Sequence, residues 1–220
     1  MRLIFATNNK HKMSEIIDIL GEKYKDIIFM MSDFGIKINP DETGRTFLEN
    51  ANIKTQALYE VMKENKILKN GDYIIADDTG LCIDYLDGAP GIYSARFLGE
   101  DTDQSYKNNR ILELMKNVTD TDRKAYFITI LSVIEVVDVA HFSTLSHSFE
   151  GKVDGYIAKS IEKTEGFGYD PIFAVEEPGD MKSGLVKTYS NMGIGEKNKI
   201  SHRARALHKF VHYLEKKHNI

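Results

Sequence analysis

Cysteine is almost absent from this 220-residue chain: Cys82 is the single one, so no internal disulfide can form. No run approaches the roughly 20 apolar residues of a membrane span, and the first residues turn polar after about four apolar ones, too few for a secretory signal. The formal net charge of -4 lacks the basic excess that a nucleic-acid-coating protein needs. We therefore expect a cytoplasmic protein without a membrane or nucleic-acid partner.

The apolar pattern predicts strands and helices in alternation along the first half of the chain. Residues 3–6 predict a short buried strand, and apolar residues then recur at helical spacing up to Gly21. The sequence TFLE, which begins at Thr46, fits a capping box that opens a long helix. Residues 73–76 predict another strand, ended by the turn sequence DDTG, with residues 81–85 as its hairpin partner.

The second half of the chain is richer in β-structure. Two runs, 124–137 and 140–153, predict a long antiparallel hairpin, whereas 174–195 predicts irregular structure and 201–217 a last helix. With 42% hydrophobic residues and no internal repeat or linker, the chain is long enough for one sizeable core. We expect one α/β domain, residues 1–220, with a mixed sheet.

Polar side chains follow the first strand in the sequence IFATNNKHK. A strand-loop-helix junction presents free backbone N–H groups and the positive end of a helix dipole to an anion. Thr7, Asn8 and Asn9 add neutral donors, while Lys10 and Lys12 add charge. The set suits a polyphosphate, although it is not a Walker loop, and a polar turn with asparagine caps is the simpler alternative.

Two acids follow directly on a predicted buried strand in the sequence IIADDTG. If the strand persists, Asp77 and Asp78 point to opposite faces, so one should be structural and the other should face a site. A carboxylate at this position suits Mg²⁺ or the orientation of an attacking water. The alternative is a turn in which the Asp side chains cap backbone amides.

A second acidic cluster occurs in the sequence NPDETG. Adjacent acids in a loop, here Asp41 and Glu42, are more often solvated than functional. Together with the acids of IIADDTG, however, they supply the further carboxylate that a metal site needs.

Glycines and aromatic residues alternate in the sequence GFGYDP. Phe167 or Tyr169 could stack on a purine while Asp170 or backbone amides read its edge; the alternative is a tight turn with an aromatic anchor. Downstream, in KNKISHRARA, Ser201 is a candidate N-cap with His202 and Arg203 in the first turn. These donors could bind an anion or a carbonyl oxygen, or they could belong to an ordinary capped surface helix.

The order of these motifs is more specific than any one of them. The succession T-x-N-x-x-K, E-T-G-x-T-F-x-E-N-A-x-x-K, A-D-D-T-G-L, G-A-P-G-I-Y-S-A-R-F, G-F-G-Y-D-P-I-F and I-S-H-R-x-x-A-L resembles the inosine triphosphate pyrophosphatase family. This resemblance implies an elongated two-lobed α/β fold with a long mixed sheet flanked by helices, a cleft between the lobes, a homodimer and Mg²⁺ dependence. It also implies hydrolysis of non-standard purine nucleoside triphosphates (ITP, dITP, XTP) to the monophosphate and pyrophosphate.

Carried over by position, the resemblance assigns catalysis and metal binding to Asp78. The second metal ligand belongs to the DETG loop and by register falls on Asp41, with Glu42 as the other possibility. The lysine before the last helix matches Lys197, with Lys199 as the alternative. Substrate binding is implied for the loop after the first strand and for the later matching positions: Thr7, Asn8, Asn9, Lys10, His11, Lys12, Lys54, Thr79, Phe167, Gly168, Tyr169, Asp170, Lys197, His202 and Arg203.

The expected mechanism is attack by water on the α-phosphorus. Asp78 would orient or deprotonate that water, while Mg²⁺ and lysines would stabilise the pyrophosphate leaving group. His202 and Arg203 suit a 6-oxo purine, because its oxygen accepts hydrogen bonds where the amino group of adenine donates them.

Two other functions remain open at this point. A nucleotide pyrophosphatase of the septum-formation-inhibitor type prefers modified pyrimidines or methylated guanine, and the pairing of GFGYDPIF with ISHR favours the purine interpretation over it. A non-catalytic nucleotide- or RNA-binding module would use the same basic loops without turnover. Asp78 beside a second acidic loop argues for an enzyme, since a phosphate binder gains little from nearby carboxylates.

Overall fold

This computed structural model describes residues 1–175 and 187–219, and within these ranges six strands form one mixed sheet in the order β2-β1-β3-β4-β5-β6. The strands are β1 Arg2–Phe5, β2 Ile28–Met30, β3 Asp72–Ile83, β4 Lys124–Asp138, β5 Ser143–Ile157 and β6 Phe173–Val175. The α-helices are α1 Lys10–Leu20, α2 Phe47–Glu64, α3 Gln104–Leu114, α4 Ile194–Ile200 and α5 His202–His218. The predicted α/β class is confirmed.

Strand direction follows from the connections. β1 lies parallel to both neighbours, with Leu3 beside Ile28 of β2 and Tyr73 of β3, so β1, α1 and β2 form a β-α-β unit. β4 and β5 are neighbours joined by residues 139–142. A link this short can join antiparallel strands only, which confirms the predicted hairpin. β6 pairs antiparallel with β5.

One predicted hairpin was wrong. Residues 72–83 form a single strand of 12 residues, where the sequence predicted a strand, a DDTG turn and a hairpin partner. Every residue of β3 except Thr79 is buried, so burial and pairing within the sheet override the local turn preference of Asp-Thr-Gly. The strand therefore continues through Asp77 and Asp78, and the alternation of side chains applies to both.

The contacts divide the chain into two compact units. Unit 1 comprises Met1–Asp78, Thr129–Gly151 and Arg203–Ile220. Alternate residues of its strands supply two apolar clusters, because successive side chains point to opposite faces. Leu3 and Phe5 pack with residues of α1 and α5 in one cluster, and Ile4 packs with residues of α2 in the other.

In unit 1, the start of α2 and the end of α1 lie where the sequence predicts them. The hydroxyl oxygen of Thr46 accepts a hydrogen bond from the backbone N–H of Glu49 at 3.1 Å, which caps α2 as predicted. Gly21 ends α1, and its N–H donates to the carbonyl of Ile17. Two apolar residues of these helices, Ile17 on α1 and Leu48 on α2, are exposed.

Unit 2 comprises Thr79–Ile128 and Lys152–His202 and has its own apolar core. The rings of Phe127 and Phe173 meet edge to face in this core, with 4.7 Å between their centroids. Buried Arg123 donates hydrogen bonds to three backbone carbonyls, those of Met115, Ile157 and Ala158. The single domain over 1–220 and the cleft between two lobes stay predictions.

The irregular segment expected at 174–195 falls largely on 176–186, which lie outside the described residues. At its two ends the prediction was wrong, because residues 174–175 belong to β6 and α4 begins at Ile194. In the described part of the chain, no helix combines the length and the apolar character that crossing a membrane requires.

Candidate active site

The turn between β1 and α1 is organised by its own side chains. Asn9 is the N-cap of α1, and its Oδ1 accepts hydrogen bonds from the backbone N–H groups of His11 at 3.0 Å and Lys12 at 3.1 Å. The Thr7 hydroxyl accepts from the N–H of Asn9, and the Asn8 amide donates to the carbonyl of Ile38. The helix N-terminus predicted from the sequence is present, with two of its N–H groups engaged by Asn9.

Asp77 is the buried centre of an ion-pair network in unit 1. Its carboxylate lies 3.0 Å from the ammonium of Lys12 and 3.2 Å from the guanidinium of Arg203, which also pairs with Glu15 on α1. Burial by itself would raise the pKa of Asp77, but the charges of Lys12 and Arg203 outweigh it and hold that pKa well below its usual range. Asp77 therefore has the contacts expected of a structural carboxylate.

Asp78, the next residue, contacts different groups. Its carboxylate lies 3.2 Å from the ammonium of Lys54 and accepts a 3.4 Å hydrogen bond from the amide of Asn50. Burial raises the pKa of Asp78 above its usual value in spite of the opposing effect of Lys54, and the neighbouring charge of Glu42 adds to the rise. The sequence argument that one of the two acids is structural and the other faces a site thus agrees with these contacts.

Glu42 and Asp78 share one cation. The Lys54 ammonium lies 3.0 Å from Glu42 and 3.2 Å from Asp78. Burial alone would lower the pKa of Lys54, but the charges of Asp78, Asp77 and Glu42 raise it. Asp41, by contrast, is exposed, and its backbone carbonyl accepts from the N–H of Thr43. Of the two acids left open by the sequence, Glu42 is the one that the fold brings to Asp78.

This donor set fits a magnesium ion. Mg²⁺ keeps several waters and uses one or two carboxylates together with substrate phosphates. Glu42 and Asp78 could provide these two carboxylates. The Lys54 ammonium shows that the two carboxylates already hold a positive charge between them. Over residues 1–175 and 187–219, no group of three or more His, Cys, Asp or Glu side chains forms an all-protein metal cage.

The GFGYDP loop is held by hydrogen bonds within unit 2. Asp170 accepts from the backbone N–H of Phe167 at 2.9 Å and from the ammonium of Lys197 at 2.7 Å. The carbonyl of Gly168 accepts from the Asn108 amide at 3.1 Å. Gly166 has a φ of +110°, and a Cβ there would lie 2.9 Å from the Asp170 side chain, so this turn requires glycine.

The two aromatic residues of this loop differ in exposure. Tyr169 is 4% exposed and its hydroxyl donates to the carbonyl of Ser94 at 2.8 Å, whereas Phe167 is 36% exposed. Burial also raises the pKa of Tyr169. Of the two rings that the sequence offered for stacking on a base, Phe167 is the one with surface available.

The candidate residues before and at the start of α5 belong to different units: Lys197 and His202 to unit 2, and Arg203 to unit 1. Lys197 is buried on Asp170, while Lys199 is exposed, so the contacts favour Lys197 for the lysine position. In unit 2, the buried His202 ring stacks on Phe127 with 4.6 Å between the centroids. Arg203 belongs to unit 1 through its pairs with Glu15 and Asp77.

These contacts single out three residues to which sequence reasoning assigned no role: Glu15, Asn50 and Asn108. Asn50 carried a signal, because it stands in the E-N-A-x-x-K motif one helical turn before Lys54. Glu15 and Asn108 lie among ordinary polar helix positions, and only the folded chain brings them to Arg203 and Gly168.

Known proteins resemble this chain over nearly its whole length. The model of the Ham1 family matches residues 3–213. A dITP/XTP pyrophosphatase of Thermoanaerobacter pseudethanolicus is 41% identical over 217 residues, 99% of this chain and 98% of that protein, and one from Clostridium perfringens is 42% identical over 94% of each chain. The Ham1 protein of Staphylococcus aureus has a similar structure, with a TM-score of 0.77 and 32% identity over 99% of this chain and 100% of that chain.

Proposed function

Since this chain belongs to the Ham1 family, we propose that it hydrolyses non-standard purine nucleoside triphosphates, such as dITP, XTP and ITP, to the nucleoside monophosphate and pyrophosphate. Its full-length relatives are named for this pyrophosphatase activity on dITP and XTP. The structural observation that carries the proposal is the pair of carboxylates, Glu42 and Asp78, gathered on the single ammonium of Lys54. A protein that only bound nucleotides would gain nothing from placing two carboxylates beside a polyanion.

We assign binding of the triphosphate to the turn between β1 and α1. Thr7 and Asn9 contribute polar groups, the N-terminus of α1 contributes its dipole, and Lys12 contributes charge. Asn8, Lys10 and His11 are the exposed positions of the same turn. Lys54, on α2, contributes a further positive charge to phosphate binding.

For the metal, we propose Mg²⁺ held by Asp78 and Glu42. When bound, this ion would neutralise charge on the phosphates and polarise the bond that breaks. The contribution of the chain is to hold two carboxylates close together in a partly buried site, where an electrostatic interaction is stronger than in water.

For the chemical step, Asp78 orients or deprotonates the water that attacks the α-phosphorus. Asp77 suits this role less, because Lys12 and Arg203 hold its pKa well below its usual range, whereas burial raises the pKa of Asp78. Lys12 and Lys54 neutralise charge that develops on the departing pyrophosphate. No covalent intermediate with the protein is needed, so the reaction depends on positioning and charge.

We propose that the base stacks on Phe167, as the motifs imply. Residues that would recognise the base are Gly168, Tyr169, Asp170, Lys197, His202 and Arg203. Thr79, next to the catalytic acid in the chain, would also bind substrate. The exposed ring of Phe167 supports the stacking role. Donors suit the 6-oxo group of hypoxanthine or xanthine, and adenine would leave them unpaired. A homodimer and a cytoplasmic location are proposed with this function.

The test is a Mg²⁺-dependent assay with ITP, dITP, XTP, ATP and GTP in which pyrophosphate and orthophosphate are quantified separately. We expect pyrophosphate from ITP, dITP and XTP and little from ATP or GTP. Orthophosphate release would contradict the cleavage site. Tight nucleotide binding without turnover would favour a binding module, and selective turnover of modified pyrimidine or methylated guanine triphosphates would favour the septum-formation-inhibitor type.

A further inference from the structure

Asn50 is a fully buried polar residue beside the two carboxylates. It lies in the first turns of α2 and is 0% exposed. Asparagine is not a favourable residue inside a helix, and a buried amide is costly unless both its donor and its acceptor are satisfied. Its contacts therefore indicate what the amide does.

The two ends of the Asn50 amide bind different parts of the chain. Its Oδ1 accepts a 2.9 Å hydrogen bond from the backbone N–H of Gly44, in the loop that carries Glu42. Its Nδ2 donates to Oδ2 of Asp78 on β3 at 3.4 Å. Only a side chain that both accepts and donates can make this link: a carboxylate cannot donate to Asp78, and an apolar side chain can do neither.

Gly44 shows how closely the loop lies against α2. A Cβ at Gly44 would be 2.6 Å from Oδ1 of Asn50, 2.7 Å from Cβ of Glu49 and 2.8 Å from the backbone nitrogen of Asn50. The last two atoms belong to the helix and cannot swing away. The loop therefore reaches the Asn50 amide only because residue 44 has no side chain.

Lys54 completes the arrangement one helical turn later. Residues four apart on a helix lie on the same face, so α2 presents the amide of Asn50 and the ammonium of Lys54 together. The ammonium joins Glu42 to Asp78 by charge, and the amide joins the Glu42 loop to Asp78 by directed hydrogen bonds. Charge alone leaves the separation of the carboxylates adjustable, whereas the amide restricts it.

We infer that Asn50 is a positioning residue that sets the separation of Glu42 and Asp78 and thereby the affinity of the unloaded protein for a divalent cation. This inference rests on the proposed metal site. Groups that hydrogen-bond to metal ligands orient them, and losing one typically reduces metal affinity about 10- to 100-fold. The competing explanation is that Asn50 only fastens the loop to α2 and contributes to stability.

The experiment uses three variants of the full chain. Asn50→Leu removes both hydrogen bonds at similar volume. Gly44→Ala pushes the loop away from α2 without changing any ligand. Asn52→Leu is the matched control, because the same substitution falls on an exposed side chain of the same helix. Mn²⁺ is titrated against each protein without nucleotide, with the free ion followed by electron paramagnetic resonance, and Tm is measured in parallel. The Mg²⁺ concentration for half-maximal turnover of dITP is a second measure.

We expect Asn50→Leu and Gly44→Ala to weaken Mn²⁺ binding about 10-fold or more and to raise the half-maximal Mg²⁺ concentration similarly, while kcat at saturating Mg²⁺ falls much less. Asn52→Leu should leave both constants unchanged. A lowered Tm with unchanged Mn²⁺ and Mg²⁺ constants would overturn the inference in favour of the stability explanation.

The wild-type protein separates this inference from the proposed function. If wild type neither binds Mn²⁺ nor requires Mg²⁺ for turnover, the proposed metal site fails and the inference fails with it. If wild type requires Mg²⁺ but binds no Mn²⁺ without nucleotide, cation affinity of the unloaded protein is not what Asn50 sets, and the inference fails while the proposed function stands.

Discussion

Asp77 and Asp78 are adjacent on β3, yet their carboxylates bind different cations: Asp77 pairs with Lys12 and Arg203, and Asp78 with Lys54. The alternation of side chains along an extended strand produces this separation. The same substitution at the two positions should therefore have different consequences.

Replacing Asp78 should remove activity and preserve the fold. In Asp78→Asn the amide keeps the size of the side chain but can neither accept the proton of water nor bind a cation strongly. We expect kcat to fall by roughly 10²–10⁴, the range for loss of a general base, with little change in Tm. Asp18→Asn, on the exposed face of α1, is the control. Turnover within a few-fold of wild type, with its Mg²⁺ dependence intact, would remove Asp78 from the mechanism.

Replacing Asp77 should mainly destabilise the protein. Asp77→Asn removes the carboxylate that pairs with Lys12 and leaves the buried Arg203 guanidinium with Glu15 in place of two carboxylates. Breaking a buried ion pair from one side typically costs about 3–5 kcal/mol, so the free energy of unfolding should fall by about that amount. Urea denaturation followed by circular dichroism measures it. A stable Asp77→Asn protein that has lost only turnover would instead make Asp77 the catalytic acid.

Replacing Lys54 should change cation and nucleotide binding in opposite directions. Lys54→Met removes the ammonium that Glu42 and Asp78 share, so a divalent cation no longer competes with it. We expect tighter Mn²⁺ binding to the unloaded protein and a higher KM for dITP, because a charge for the phosphate is lost. Lys63→Met, on the same helix, is the control. Weaker Mn²⁺ binding in Lys54→Met would show that the lysine supports the metal site rather than substituting for the ion.

Replacing Phe167 should weaken substrate binding with a smaller effect on stability. Stacking of a base on an aromatic ring contributes about 1–3 kcal/mol, so kcat/KM for dITP in Phe167→Ala should fall roughly 5- to 100-fold. Phe142→Ala is the matched control, because that ring is also exposed but lies in the tip between β4 and β5. Equal kcat/KM values for wild type and Phe167→Ala would argue against a stacking role.

The wrong hairpin prediction in β3 shows where local patterns fail. Asp-Thr-Gly has the composition of a turn, and nothing within the segment 77–80 counters that preference. The strand continues because its residues are buried and paired with neighbours that are distant in sequence. Conversely, the β4–β5 hairpin, the capped start of α2 and the extent of α5 depend on local periodicity and capping, and these predictions held.

The α/β class and the separation of Asp77 from Asp78 could be predicted from the residues alone, because periodicity and side-chain alternation are local properties of the chain. Packing between distant parts of the chain is what brings Glu42 rather than Asp41 to the Lys54 ammonium beside Asp78, Lys197 rather than Lys199 to Asp170, and Asn50 between the acidic loop and β3. Neighbouring residues of the same charge look alike in a sequence. Their distances to partners that are remote in sequence depend on how helices and strands pack, which no local pattern encodes.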